Sequence, residues 1–520
     1  MLLPLRRHAS LLLAAACVIA YVGGTYRFAV LDHRTSREEV QIGAMPAWLL
    51  LPAPPGDRAP AAVAAAPLPP VVIVQHGFSA SRQAMSWIVR GLARNGFAVL
   101  ASDFHGHGQN SVPFGLRDDL SDDLDSLVRY ARSRPDVDGR HIALVGHSMG
   151  AFAVYRYALH HPDIDAVVPI SGTAGGGDMQ LPHNVLLVDA TGDPAAIRHA
   201  SRVTMRYLTG RAGVTLSSTE GDFGERAARR FVEVPGHDHV TILFSEVPVR
   251  ETVGWLRRTW AMPAAAFEPA PPGMLGAGCI AVGAGLLLFF PIAGWLATAL
   301  RCARPVGNPA RGAAWMALAS AVGAGVVLLA GVPVSFVPLI AGSELVSFLF
   351  LAGVFIAAAV WLRRRPWRDG GTPNAVVRSV LLGSAAFAVI YATCGTSVSR
   401  LFFNLLLTRQ RAAWFVVIAL LCLPLGIGLE TGLRGTGGWR VVARTLAAKL
   451  FLLMGLTTAI AVGAMPSVIG LMLPSLAVVF LVTDAVAARL YVVSGSAVAS
   501  GVLTALMLAW LPAAIFPLGS

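Results

Sequence analysis

The sequence is poor in charge: Asp, Glu, Lys and Arg make up 13% of its 520 residues, while 55% are apolar. A soluble globular chain carries about 25% charged residues. With a mean hydropathy of +0.63, this balance argues against a wholly soluble chain and equally against a disordered one. Cysteine is scarce as well. Cys17, Cys279, Cys302, Cys394 and Cys422 all lie in apolar runs or the loops joining them, and residues 32–268 have none. That excludes a disulfide framework in this segment while staying compatible with export. No pair has the close spacing of a metal site, and no motif calls for a cofactor. Lysine is nearly missing, with Lys449 alone against 40 Arg. Together with abundant Ala, Gly and Pro, this looks like a GC-rich bacterial coding bias.

The net charge of +12 invites a nucleic-acid reading, but its distribution removes it. Residues 32–268 carry 22 Arg against 25 acids, whereas residues 269–520 carry 16 basic residues against 4 acids. The excess sits in short loops between apolar runs, where topology explains it. A basic folded face, the footprint of a nucleic-acid partner, is missing.

The N-terminus reads Arg6-Arg7-His8 and then an apolar run from Ala9 to Tyr26, near the lower length limit for a bilayer span. Residues 1–31 are therefore expected to form an uncleaved signal anchor. Two rival readings are a cleavage site at Ala14-Ala15-Ala16 and a faint lipoprotein-like site at Cys17, which the continuing apolar run opposes. From 269 onward a second region holds eight apolar runs, near 274–300, 312–332, 343–362, 375–394, 412–429, 441–463, 467–488 and 496–517. Each matches about 30 Å of hydrocarbon, which predicts an all-α polytopic transmembrane domain over 269–520. With the N-terminus inside, the inner loops hold 15 Arg and Lys and the short outer loops only Arg400, Arg409 and Arg411. This positive-inside bias puts 32–268 on the extracytoplasmic side of an inner, multi-pass membrane protein. Residues 395–411 read as an amphipathic stretch on the outer interface.

Residues 32–268 are enough for one sizeable core. A strand-like stretch, Val40–Leu51, and a Pro/Ala-rich linker, Pro52–Pro70, open the segment. Strand-like runs then follow at Val71–Gln75, Ala98–Ser102, His141–Val145, Ala166–Ile170, Asn184–Asp189 and Phe231–Val234. They alternate with helix-like stretches at Ser81–Asn95, Leu116–Arg134, Met149–His161, Ala195–Leu208 and Ser245–Trp260. Short strands that are apolar throughout predict an α/β domain with a mainly parallel sheet covered on both faces.

The sharpest chemical signal is Gly146-His147-Ser148-Met149-Gly150, a Gly-x-Ser-x-Gly pattern between a strand and a helix. Small residues at 146 and 150 permit a tight turn that lifts the Ser148 hydroxyl to a helix N-terminus, so Ser148 is the candidate nucleophile. A serine hydroxyl needs a base. Of the later histidines only His237 and His239 follow the last strand and precede the last helix; His239 is favoured and His237 kept as its rival. A metal at His237-Asp238-His239 has little support. The acid that would orient the imidazole is expected at Asp193, in the turn after the strand Val185–Val188, with Asp189 as the alternative. Two backbone amides should meet a developing oxyanion: that of Met149, and that of Phe78 in the turn Gln75-His76-Gly77-Phe78.

These features together resemble the α/β-hydrolase superfamily in its serine esterase, lipase and S33-peptidase-like branch, over residues 40–260. The matching motifs are His76-Gly77-Phe78, Asp103-Phe104-His105-Gly106-His107-Gly108 after a strand, the turn at 146–150, Gly192-Asp193 and the late His239. The resemblance implies ester or amide hydrolysis through an acyl-enzyme, without cofactor or metal, and makes Asp103 and 105–108 structural. In one respect the chain departs from the pattern. Only about 13 residues, with Gly175-Gly176-Gly177 among them, separate Ile170 from Asn184, where a lid domain usually inserts. An open site suits small or chain-end acyl groups, or a substrate presented by the apolar half of the chain. The apolar half resembles no family.

Glu344, Glu430 and Asp484 lie in or beside the apolar runs, where a charge is costly. The first two are read as interfacial; Asp484 is deeper and would pair with Arg489 or another helix. The expected function is therefore a membrane-anchored serine hydrolase acting on ester-containing small molecules or lipid-like substrates, in contact with membrane lipids. The alternatives are a peptidase or acyltransferase on the same three residues, or a transporter or lipid-handling protein whose hydrolase-like domain binds or regulates.

Overall fold

The computed structural model describes the chain except residues 1, 33–34, 53–66, 116–117, 303–312, 332–334, 365–372, 436–437 and 520; the middle of the Pro/Ala-rich linker thus lies outside the described residues. The chain divides into two compact units: Arg27–Leu275 with Ser399–Asn404 and Pro517–Ser520, and Met1–Tyr26 with Gly276–Val398 and Leu405–Phe516. Helix α1 (Leu2–Asp32) opens the chain.

The first unit is built on a nine-stranded sheet: β1 (Thr35–Ile42), β2 (Met45–Pro52), β3 (Pro70–Gln75), β4 (Ala98–Ser102), β5 (Asp138–His147), β6 (Ala166–Ile170), β7 (Val185–Gly192), β8 (Thr219–Glu220) and β9 (Arg229–Asp238). Their spatial order is β1-β2-β4-β3-β5-β6-β7-β9-β8. Neighbours from β4 to β9 run parallel, and β1, β2 and β8 join antiparallel. The stretch from Val40 to Leu51 is not one strand but the heart of a hairpin, because Gly43 takes φ +60° at the turn between β1 and β2.

Strand periodicity assigns the two cores. Val72 and Val74 with Val99 and Ala101 enter one core, and Val71 and Ile73 with Ala98 and Leu100 enter the other, as alternate side chains of a strand must. The first core is closed by α2 (Ser86–Arg94), whose Ile88, Val89 and Leu92 recur at helical spacing and are buried. The second is closed by α3 (Ser121–Ser133) and α4 (Met149–His160). Helices α5 (Ala195–Thr209) and α6 (Glu246–Thr259) complete the layers. No helix lies in the stretch between β6 and β7, all of which is described.

The second unit is helical. Its helices are α7 (Met274–Ala299), α8 (Ala313–Leu329), α9 (Gly342–Arg364), α10 (Pro373–Ile390), α11 (Thr396–Leu401), α12 (Arg409–Leu433), α13 (Trp439–Ala461), α14 (Leu473–Ser494) and α15 (Ala497–Ile515). Among the described residues eight helical stretches, the first at His8–Asp32, are long and apolar enough to cross a membrane. The run near 312–332 appears as the shorter α8. Two acids of this unit, Glu430 and Asp484, are paired. Arg434 bonds both Glu430 (2.5 Å) and Asp484 (2.7 Å), Lys449 Nζ lies 2.7 Å from Asp484, and Thr504 donates to Glu430 at 3.3 Å. Asp484 thus meets cations from other helices, while Arg489 donates to the Phe290 carbonyl at 3.0 Å.

Candidate active site

The site forms where the parallel strands end. β5 leads directly into α4 through Ser148, which sits at φ 53°, ψ −117°. A non-glycine residue holds such a conformation at a cost of about 1–3 kcal/mol, and its surroundings enforce it. A Cβ at Gly146 would lie 2.2 Å from the Gly150 carbonyl oxygen, and one at Gly150 2.6 Å from the carbonyl oxygens of both Gln75 and His76. The elbow therefore closes only with glycine at both positions. Ser148 N–H donates to the Ile170 carbonyl at 2.9 Å, which ties the turn to β6.

Three distant parts of the chain converge on this serine. The Ser148 hydroxyl lies 3.0 Å from His239 Nε2, and His239 Nδ1 lies 2.6 Å from Asp193 Oδ1. Both His239 and Asp193 are buried. Burial works against the Asp193 charge, yet bonds from His239, Ser171 and the Ala190 amide outweigh it and hold the carboxyl below its ordinary pKa; the Ser171 hydroxyl and the Ala190 N–H both donate to Oδ2 at 2.7 Å. An ionised carboxylate only accepts. The ring proton of His239 therefore sits on Nδ1, and the Nε2 lone pair faces the serine hydroxyl.

The rival positions are elsewhere. His237 turns its Nδ1 to the carbonyl of Pro235 at 2.9 Å. Asp189 is buried, and burial pushes its carboxyl up to about 7. Among the described residues no group of three or more His, Cys, Asp or Glu is placed to hold a metal.

The turn after β3 packs against the nucleophile: a Cβ at Gly77 would lie 3.1 Å from Ser148 Cβ. His76 shapes this turn. It donates from Nδ1 to the Gly77 carbonyl at 2.8 Å and accepts at Nε2 from Phe104 N–H at 3.1 Å, and burial lowers its pKa, which keeps it neutral. Met149 is the first residue of α4, where an amide has no intrahelical partner and the helix dipole favours negative charge. Asp103 is wholly buried and accepts from the Arg82 and Gln109 amides at 2.8 and 2.9 Å, with the Arg82 guanidinium also against it. His105 pairs with Asp123 at 2.8 Å, and His107 Nδ1 bonds the His105 carbonyl at 2.7 Å.

Two contributors have no signal in the sequence reading. Ser171, at φ 53° just past β6, supplies the second bond to Asp193. His147 donates from Nε2 to the His239 carbonyl at 2.8 Å. Burial, helped by the neighbouring His239, pushes its pKa down to about 3, so the ring stays neutral and braces the base without competing for its proton.

The arrangement can take a proton from a serine hydroxyl, hold the resulting imidazolium against a carboxylate, and offer amides to an adjacent oxyanion. Comparisons with known proteins place part of this unit among α/β-hydrolases. The family described as serine aminopeptidase, S33, matches residues 67–206. Cutinase 2 of Thermobifida cellulosilytica is 28% identical over 102 residues, 19% of this chain and 38% of that one. Cutinase cut1 of Thermobifida fusca is 28% identical over the same share of this chain and 31% of its own. The chain thus spans under two-fifths of the length of these relatives. A hypothetical protein of Pseudomonas aeruginosa shares 13% identity over 43% of this chain and 93% of its own, at a TM-score of 0.32.

Proposed function

We propose, for a chain whose first unit carries an α/β-hydrolase segment, that it is a membrane-held serine hydrolase cleaving carboxylic esters through an acyl-enzyme. Ser148 Oγ attacks the ester carbonyl while His239 Nε2 takes its proton. Asp193 keeps the ring oriented and stabilises its cation. The amides of Phe78 and Met149 receive the oxyanion. Collapse of the tetrahedral adduct returns the proton from His239 to the leaving alcohol, and water repeats the sequence on the acyl group.

The observation that carries this reading is the continuous relay from Ser148 Oγ to His239 at 3.0 Å and on to Asp193 at 2.6 Å. Support for an apolar acyl group comes from Phe152, one turn beyond the nucleophile and 43% exposed, and from the absence of a helix between β6 and β7. The eight apolar helical stretches, and the bias of Arg towards one set of loops that holds when the shorter α8 also crosses, support a multi-pass inner-membrane protein with residues 32–268 outside.

Purified full-length protein should hydrolyse p-nitrophenyl butyrate and label with a fluorophosphonate. Ser148→Ala should lower kcat by a factor of about 10^4 or more and abolish labelling. Undiminished turnover by Ser148→Ala would overturn the assignment. Faster turnover of aminoacyl p-nitroanilides than of esters would replace the esterase reading with a peptidase on the same three residues.

A further inference from the structure

The turn bearing Phe78 is flanked by two pieces of chain that return to the first unit from far along the sequence. One is Ser399–Asn404 and the other begins at Pro517. The first comprises the end of α11 and the residues after it, and the second follows α15.

The first piece lies against the residues just after the oxyanion turn. The Ser86 hydroxyl donates to the Leu401 carbonyl at 3.1 Å, and Asn404 N–H donates to the Ser81 hydroxyl at 3.4 Å, both buried. Phe403 packs on the core that contains Ala84, Met85 and Ile88. Phe402 meets Phe244 edge-on at 5.5 Å, five residues beyond His239.

The second piece meets the loop that follows β4. Leu518 N–H donates to the Gly106 carbonyl at 2.9 Å, and its own carbonyl accepts from Phe114 N–H at 2.7 Å. Gly106 N–H in turn donates to the Val112 carbonyl at 2.5 Å, so Leu518 closes a small three-way bridge. Its side chain is buried, and a Cβ at Gly106 would strike its carbonyl oxygen at 2.6 Å. From there the contact passes through aromatic rings: Phe114 to His107 at 5.1 Å, His107 to Phe78 at 5.9 Å, and Phe78 to Phe114 at 6.5 Å.

We propose that the segments around Leu401–Asn404 and Leu518 are positioning elements of the hydrolase: they brace the surroundings of the oxyanion turn at two separate places and so set the Phe78 amide where the developing negative charge appears. No helix lies between β6 and β7, and segments returning from the apolar half lie beside that turn instead. Preorganised donors accelerate acyl transfer only when they are fixed before the charge develops, so turnover depends on both segments being seated. Covalent continuity ties that seating to α11 and α15. The apolar half then has a role in turnover beyond anchoring, for which one helix would suffice. The proposal rests on Ser148 and its relay being the working site.

Two variants of the full-length protein test it. Leu518→Pro deletes the N–H that bonds Gly106. Ser86→Ala deletes the hydroxyl that bonds Leu401. Losing one oxyanion donor outright costs about 10^2–10^3 in kcat, so a displaced one should cost at least about tenfold. Each variant is expected to lower kcat for p-nitrophenyl butyrate by that amount with KM within about twofold. Each should also lower the preference for an ester over its thionoester, because a misplaced amide no longer discriminates a carbonyl oxygen from a sulfur. A merely structural contact would leave that preference unchanged. A folded Leu518→Pro with wild-type kcat and wild-type ester preference overturns the proposal. If Leu518→Pro does not fold, Ser86→Ala decides by the same two readings. Residual activity in Ser148→Ala, run alongside, would instead indicate failure of the esterase reading itself.

Discussion

Asp189 and Asp193 are four residues apart, yet their surroundings drive them to opposite charge states. Asp193 gains three hydrogen bonds and stays ionised. Asp189, further down β7, is buried with one carboxylate oxygen lacking a partner, and desolvation raises its pKa to about 7. That value exceeds the ~3.9 of an unfolded aspartate, so the folded chain keeps a proton that the unfolded chain releases. The stability this contributes is complete below about pH 4 and is lost as pH rises through 7. Asp189→Asn, neutral at every pH, should therefore stabilise the hydrolase unit by on the order of 4 kcal/mol at pH 8 and hardly at all at pH 4. Thermal unfolding followed by tryptophan fluorescence at both pH values checks this; equal shifts at the two would refute it. His147 works in the other sense. Its folded pKa of about 3 lies below the ~6.5 of an unfolded histidine, so its contribution is present above about 6.5 and fades as pH falls toward 3.

At the scale of elements, the helices of the second unit are joined by ions as well as by apolar packing. Glu430 on α12 and Asp484 on α14 share Arg434, and Lys449 on α13 adds a second cation at Asp484. The group carries two charges of each sign, and Glu430, Arg434 and Lys449 are buried while Asp484 is half-buried. Removing one cation from such a set leaves an uncompensated buried charge, which costs about 3–5 kcal/mol. Arg434→Met should lower the thermal stability of the detergent-solubilised protein by several degrees, and adding Glu430→Gln should recover part of the loss. Size-exclusion chromatography after heating reads both, and an Arg434→Met protein as stable as wild type would mean that the charges are not a joint. The acids were visible in the sequence as isolated costs; Arg434 stands one turn beyond Glu430 along the chain, whereas the cations that meet Asp484 come from distant parts of the sequence and leave no local signal.

For the whole molecule, topology decides which compartment meets the site. With α8 counted as a crossing, fifteen basic residues on one side against three in the short loops of the other predict an extracytoplasmic hydrolase unit. Protease added to spheroplasts should cut within 32–268 without prior lysis, whereas protection until the membrane is opened would reverse the orientation. The two returning segments make the same point at larger range. Leu401–Asn404 reads along the chain as an amphipathic stretch at the interface, yet those residues lie with the hydrolase. No local pattern distinguishes an apolar side chain that meets lipid from one that meets another part of the protein.

Whatever depends on near neighbours in the chain was determined by the sequence alone. The alternation of short apolar strands with amphipathic helices, the Gly146–Gly150 elbow and the long apolar runs are patterns of period 2, of period 3.6 or of simple length, and each is complete within some twenty residues. The turn after β1 escaped because one glycine at positive φ breaks a run that otherwise reads as continuous. What only the tertiary structure decided are the contacts between distant strand ends. It placed His239 rather than His237 against Ser148, set Asp193 rather than Asp189 behind it, and recruited Ser171 and His147. It also brought Leu518 to Gly106 and Leu401 to Ser86. Residues one or two places apart in a loop have nearly the same local chemistry, so only the paths of the strands and helices that carry them determine which one reaches the serine.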